Sequence, residues 1–347
     1  MCRWATAAVV AGIVLLALLA AADAFRGSTK QQAAPPTAST VHPRGRPTVG
    51  ETLRRDGISG RLIYSGPLCE IKTVLLPSLK IEPVLSERSG GQLNACSFSM
   101  AAGHFLEGKV ATTRGGATIA RCIGDEVTIR NVVSGTELGR TDGCPAAWRP
   151  VRGGRAQLTH VRRGEIVADG VVLVSRADLL EAARKRPNLV GLSGSVPLRV
   201  TVPEDGWLDE HHVAAILDVS GPWIQRERTL VLLDDGRLTG MSVAFGGLLQ
   251  HLVVSQSGGY AAADPGTLMS VAGRSWELPR TLGIVHVFAF SSDNRWLAVG
   301  TRASVFLVSV NDIQKNDATP QIERVPILAT DLVWEAGGVS GGTRPAG

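Results

Sequence analysis

From about Gly57 onward the chain never runs apolar for long: stretches of roughly four to six apolar or alternating residues are separated by Gly, Asp-Gly or Ser-Gly. Stretches that short do not make core helices, and alternation at period two puts every second side chain on one face of a strand. Forty Gly and 18 Pro in 347 residues supply turns at the density such a pattern needs. The chain therefore reads as many short strands with one helix, over Ala177–Arg186. That helix sets Leu179, Leu180 and Ala183 on one face and Glu181, Arg184 and Lys185 on the other. It reads as an insertion that packs its leucines on a sheet, in preference to a docking element. With 44% apolar and 19% charged residues the chain can bury a sizeable core, which excludes wholesale disorder.

The strands group into a recurring phrase: a run rich in aromatic or large apolar residues, a polar turn, a second strand, then a third. It is clearest over Val285–Val310. There His286–Phe290 leads into the turn Ser291–Asn294, followed by Arg295–Val299 and Ser304–Val308. A second copy runs through Ala146–Pro150, the Gly153-Gly154 turn, Ala156–Val161 and Glu165–Val167. A third runs from Cys96–Ser99 through His104-Phe105 to Ala117–Ala120. Echoes begin at Val200–Val202 and at Leu252–Ser255.

This phrase resembles the strand, Phe/Trp-Ser-Pro-Asp-Gly turn, strand pattern of TolB-like and WD40-like β-propellers. It departs from it at Ser292 and Asn294, where Pro and Gly are usual, and its copies lack the Trp-Asp dipeptide of WD40 blades. The resemblance implies an all-β propeller. Anchors at Phe98, Trp148, Val202, Val254, Phe290 and Trp334 are spaced 50, 54, 52, 36 and 44 residues apart. Ahead of the first anchor, Arg61–Tyr64, Ile71–Leu76 and Ile81–Leu85 make a blade without its first strand. Asp331–Glu335 supplies that strand and closes the ring, so that no edge is left open. Residues 58–335 number 278, which makes six blades of about 46 residues, near the roughly 40–45 of a propeller repeat.

The ends of the chain read differently. Residues 1–25 hold Ala5–Ala22, eighteen residues without a charge, on the border between a membrane anchor helix and a signal-peptide core. Ala22-Asp23-Ala24 offers a cleavage site before Phe25, whereas the length favours an anchor. Residues 26–56, with Pro35, Pro36, Pro43 and Pro47, read as a basic linker that either stays extended in water or meets anionic headgroups. Residues 57–335 are the propeller and 336–347 a Gly-rich tail. Arg26 and Lys30 after the apolar segment argue by the positive-inside rule for a cytoplasmic body. The cysteine pattern argues for an extracytoplasmic one and carries more weight, because that rule weakens for long translocated domains. Arginine outnumbers lysine thirty to six, a composition of high-GC bacteria.

The net charge of +5 arises between Arg26 and Arg55; from Asp56 onward 29 basic residues meet 29 acidic ones. A neutral folded part has no phosphate-backbone footprint, which excludes a nucleic-acid partner. Four body cysteines, Cys69, Cys96, Cys122 and Cys144, suit an oxidising compartment. Of three connectivities the sequence-local one joins Cys69 with Cys96 and Cys122 with Cys144; four buried thiols are the alternative. With no CxxC pair, zinc is not indicated.

Candidate chemistry is sparse. Asp209, Glu210, His211 and His212 make the densest polar cluster, but adjacent residues on a strand face opposite ways, and the cluster falls where a turn is expected. His104 and His160 fall on second strands and read as packing residues, and His42, His251 and His286 are scattered. Gly338–Gly342 spells G-x-S-x-G without the following helix a nucleophile elbow needs. The Gly pairs lack the Lys of a phosphate loop. No catalytic residue, metal site or cofactor is assigned. The leading reading is a non-enzymatic extracytoplasmic propeller, a binding or scaffolding module at the cell envelope. It is held through Ala5–Ala22 or secreted after cleavage before Phe25, and meets a protein or envelope polymer at a propeller face. The alternative is a lactonase-like propeller hydrolase with a metal near the central tunnel, for which Asp209, Glu210, Asp293 and Asn294 are the turn candidates.

Overall fold

A computed structural model describes residues 47–84, 96–101, 104–113, 116–185, 198–221, 224–244, 251–255, 258–315 and 320–336. Helix α1 (Val49–Arg55) comes first, capped by a reciprocal pair in which the Thr48 side chain accepts from the Glu51 N–H and Glu51 accepts from the Thr48 N–H. The linker expected to reach residue 56 therefore ends sooner, and the folded unit starts at Pro47. Leu53, fully buried, anchors this helix in the core.

Strands then follow one another in antiparallel meanders. The first sheet contains β1 (Gly60–Ser65), β2 (Ile71–Leu76) and β3 (Lys80–Pro83). A two-stranded hairpin follows, β4 (Phe98–Ala101) with β5 (His104–Glu107). The next sheet is β6 (Ala111–Thr112), β7 (Thr118–Ile123), β8 (Glu126–Asn131) and β9 (Glu137–Asp142). After it come β10 (Ala146–Arg149), β11 (Gln157–Arg162), β12 (Glu165–Ala168) and β13 (Val171–Val174), and then α2 (Arg176–Arg184). Three further sheets complete the run. They are β14 (Leu198–Thr201) to β17 (Arg237–Ala244) by way of β15 (His212–Gly221) and β16 (Ile224–Asp234); β18 (Leu252–Val254), β19 (Tyr260–Ala263), β20 (Thr267–Ser270) and β21 (Ser275–Glu277); and β22 (Val285–Phe290), β23 (Trp296–Thr301), β24 (Val305–Ser309), α3 (Val310–Lys315) and β25 (Ile322–Val325). The last strand, β26 (Asp331–Glu335), returns to β1 with Leu62 opposite Trp334 and Tyr64 opposite Leu332. The described residues thus form six four-stranded sheets and one hairpin, an all-β propeller closed by its C-terminal strand.

The repeat expected from Cys96 to Ala120 is divided by the structure: Phe98–Ala101 and His104–Glu107 form the hairpin, whereas Thr118–Ile123 belongs to the following sheet. The inner strand of that sheet, Ala111–Thr112, has only two residues, too few for any alternation to register.

Burial explains the run lengths. Each sheet is sandwiched between neighbours, so a strand such as β23 is buried along its whole length, while the outer β9 alternates between exposed and half-buried residues. The core lies between sheets rather than at one centre. Leu62, Val74 and Trp334 of the first sheet pack on Val287, Trp296 and Leu307, and Ala262 and Leu268 pack on Phe288, Leu297 and Val308. The expected helix at Ala177–Arg186 appears as α2, capped by Ser175 with Asp178, and its Leu179, Leu180 and Ala183 join the cluster of Val174, Val231 and Leu233. The turn Ser291–Asn294 closes through the Ser291 hydroxyl donating to Asp293, and Asn294 adopts φ +57, a conformation that asparagine tolerates and glycine more commonly fills.

Cys69 is bonded to Cys96 and Cys122 to Cys144. The first bond ties the β1–β2 turn to Cys96, two residues before the hairpin; the second ties β7 to Cys144, two residues before β10. Among the described residues no helix is long and apolar enough to cross a membrane. Ala5–Ala22, the prolines at 35, 36 and 43, and Gly338–Gly342 lie outside the described residues.

Candidate functional site

The sheets converge on a channel of about 770 Å3. Its wall is built from β4, β18, β22 and β26, from the residues around β6, from Trp148 on β10, and from the Pro203–Trp207 connection that follows β14, so every sheet and the hairpin contribute.

One side of the wall is locked by Asp331, the first residue of β26. Its carboxylate accepts the Phe98 N–H at 2.9 Å and the Lys109 ammonium at 2.7 Å, which draws the hairpin and the sheet of β6 onto the closing strand. The Asp331 side chain is 8% exposed, so the acid of this ion pair is buried while the Lys109 side chain stays about half exposed. From here a belt of hydrogen bonds runs between sheets. The Thr330 hydroxyl donates to the Cys96 carbonyl, His286 Nε2 donates to the Ala329 carbonyl at 3.1 Å, and His251 Nδ1 donates to the His286 carbonyl at 3.0 Å. A carbonyl can only accept, so it fixes the His251 tautomer and leaves Nε2 as an acceptor. Burial lowers the His251 pKa and, with Lys109 and His286, outweighs the opposing pull of Asp264 and Asp331. On the other flank Trp148 Nε1 donates to the Ala111 carbonyl at 3.2 Å and Trp207 Nε1 to the Thr159 hydroxyl at 2.8 Å.

The Pro203–Trp207 connection brings Glu204 and Asp205 into the wall. Asp205 is exposed at the channel surface. Desolvation by the protein atoms around it first, then Glu204, pushes its carboxyl up to about 6, with Lys109 pulling down and Asp331 pushing up. Sequence reasoning missed Lys109, Glu204, Asp205 and Asp331 as a group. Asp331 opens a strand that was read correctly, but nothing in the order of residues shows which strand starts face one another across a channel.

The residues singled out from sequence lie elsewhere. Asp209 accepts the backbone N–H groups of His211 at 2.8 Å and His212 at 2.7 Å and contacts His212 Nδ1. Glu210 accepts the Arg152 N–H at 3.0 Å, and His211 lies between Glu210 and Asp235. This cluster is the connection leading into β15. Asp293 is taken up by the turn before β23, where it accepts from Ser291 and from the Arg295 N–H, and Asn294 donates to Ser255. Asp209, Glu210, Asp293 and Asn294 are absent from the channel wall and divided between two sheets. Among the described residues no three His, Cys, Asp or Glu are placed to hold a metal ion. The turn candidates for a lactonase-like metal, Asp209, Glu210, Asp293 and Asn294, thus stand on two separate connections away from the channel wall. His160 sits half-buried on β11 beside Gly143, with its pKa lowered by burial and by Arg162, and His104 lies on β5.

No protein-family model matches the chain, and no curated protein matches it. Among solved structures it is similar to Kuenenia stuttgartiensis hydrazine synthase, at 16% identity and a TM-score of 0.41, over 76% of this chain and 83% of that one. It is also similar to the β-propeller domain of Cps50 (Swd1) from Myceliophteria thermophila, at 9% identity and a TM-score of 0.34, over 76% of this chain and 85% of that one. The propeller architecture follows from the chain's own strand pairing.

Proposed function

We propose that the chain is a non-enzymatic binding or scaffolding module of the TolB-like or WD40-like kind, working outside the cytoplasm at the cell envelope and receiving its partner at the channel face. The observation that carries this reading is the channel, a cavity of about 770 Å3 within the ordinary range of ligand sites, to which every sheet contributes. Its wall is pre-formed by the Asp331 pair and the inter-sheet belt, and a fixed wall lowers the ordering cost of binding. Counted by the strands that face the channel, the ring has seven members, with the hairpin as a reduced blade. The two disulfides favour an oxidising compartment. Ala5–Ala22 would carry the chain to the membrane, retained as an anchor or removed before Phe25. The partner in this reading is a protein or an envelope polymer.

Two measurements in the native host test it. A photo-crosslinking amino acid at Ser97, on the channel wall, is expected to give a discrete adduct; crosslinking no stronger than from an outer-strand control at Glu137 refutes channel binding. Differential alkylation of fractionated cells is expected to find the four body cysteines protected until reduction, in a membrane or secreted pool. Free thiols in the cytosol refute the location.

A further inference from the structure

The hairpin β4–β5 is the member of the ring that strand pairing holds least. Among the described residues it shares no ladder with the first sheet or with the sheet of β6. It is joined to the first sheet by the packing of Phe98 on Ile63 and Ile71, by the Phe98 N–H on Asp331, and by the bond from Cys69 to Cys96. The Thr330 hydroxyl sits at the same junction, 3.1 to 3.4 Å from the carbonyls of Ser65, Gly66 and Cys96, and its one proton serves one of them at a time. Ser97, Phe98, Thr330 and Asp331, which surround this covalent tie, all line the channel.

The second disulfide is placed differently. Cys122 lies on β7 and Cys144 just after β9, and β7, β8 and β9 already form one hydrogen-bonded ladder, extended by the Gly143 N–H on the Asp125 carbonyl. Neither Cys122 nor Cys144 belongs to the channel wall. Cys96 and Cys122 are both exposed, so a reagent in solution can reach either bond. One bond thus joins two units that strand pairing leaves separate, at the channel wall. The other repeats a connection that strand pairing already makes.

We propose that Cys69–Cys96 is a redox latch of the channel: an external dithiol opens it, frees the start of β4 from the first sheet and loosens the wall at Ser97, Phe98 and Asp331, and reoxidation closes it. This rests on the channel being the binding surface and names how that surface is regulated. The chemistry is thiol–disulfide exchange. One thiolate of the dithiol attacks a sulfur of the bond, forming a mixed disulfide and releasing the other cysteine as a thiolate; the second thiol of the reagent then displaces the remaining cysteine. Two electrons and two protons pass to Cys69 and Cys96, and the reagent leaves as its cyclic disulfide. The Asp331 contact and the apolar clusters on both flanks keep the hairpin in the ring, so the open state is loosened and not unfolded.

The test is amide hydrogen exchange, read by mass spectrometry, on the full-length Cys122→Ser/Cys144→Ser variant, oxidised and then reduced with dithiothreitol. Reduction is expected to speed exchange over β4 and at the start of β26 about tenfold or more, to leave β15 and β23 unchanged, and to be reversed by reoxidation. The converse Cys69→Ser/Cys96→Ser variant is expected to show the fast pattern in both redox states. If the first variant does not fold, the unaltered chain carries the same measurement, with alkylation reporting which bond has opened at each dithiol concentration. Exchange over β4 and β26 that reduction leaves unchanged overturns the proposal. So does loss of protection in all sheets together, which makes the bond a staple of the whole fold. The Ser97 crosslink keeps the two readings apart: a latch that opens and closes by exchange while Ser97 captures no partner in either state refutes channel binding and leaves the redox response standing.

Discussion

At Asp331 one carboxylate, 8% exposed, satisfies a backbone N–H of the hairpin and an ammonium from the next sheet. Asp331→Ala leaves the buried Phe98 N–H without this acceptor and breaks the ion pair, and is expected to cost about 2–3 kcal/mol in urea unfolding. Lys109→Ala is expected to cost less, because its side chain is already about half exposed and the carboxylate keeps its backbone donors. Equal losses would show that the ammonium, not the buried acid, holds the joint. Asp205 works in the opposite sense. Its folded pKa is raised, so its contribution favours folding fully below about pH 4 and is lost as pH rises through about 6. Asp205→Asn is therefore expected to raise the melting temperature at about pH 8 and leave it unchanged near pH 3. Sequence showed that these residues are acidic and lie beside strands, but the partners of Asp331, Phe98 and Lys109, are more than two hundred residues away along the chain.

Turns and strand ends carry the next scale. At the closing seam Gly60 adopts φ +117, and a Cβ there would run into the Glu335 carbonyl and the Trp334 indole. Gly60→Ala is expected to cost about 2 kcal/mol or more and to expose β26 to hydrogen exchange ahead of β23; uniform exchange across both strands would refute it. The connection from Pro203 to His211 has its own pH window. Burial tends to raise the Asp209 pKa, but hydrogen bonds from His211 and His212 outweigh it and hold the carboxyl below its ordinary value. Its stabilisation is therefore present above about pH 4 and lost as pH falls through the folded value. The bond to Asp235 raises the His211 pKa, so its contribution is present below about pH 6.5 and lost as pH rises through the folded value. Amide exchange over this connection, corrected for intrinsic rates, is expected to be slowest between those limits, and a flat profile would sink the account. Elements were legible where pattern and length agreed: α2 and the strands from Val285 to Ser309 fall within a residue or two of expectation. Helix α1, with seven residues, and β6, with two, fall below what periodicity can register.

For the whole molecule, closure was legible and the division of the first hundred or so residues was not, because a unit reduced to two strands leaves the spacing between aromatic anchors almost undisturbed. Phe98 of that reduced unit packs in a small cluster with Ile63 and Ile71 of the first sheet. Covalent bonds brace the same region. Cys69–Cys96 and Cys122–Cys144 close separations of 27 and 22 residues, and in the chain-entropy view each contributes about 3 kcal/mol. Reduction is expected to lower the melting temperature and to loosen β4–β9 before the sheets from β14 onward; simultaneous loss everywhere would refute the local role. The pairing of β26 with β1 also sets an order of events. Leu62 and Tyr64 leave the ribosome well before the strand that covers them, which lies about 270 residues further along the chain. Of the described sheets the one that begins first is thus completed last, and until Glu335 emerges these sheets form an open arc with a sticky edge.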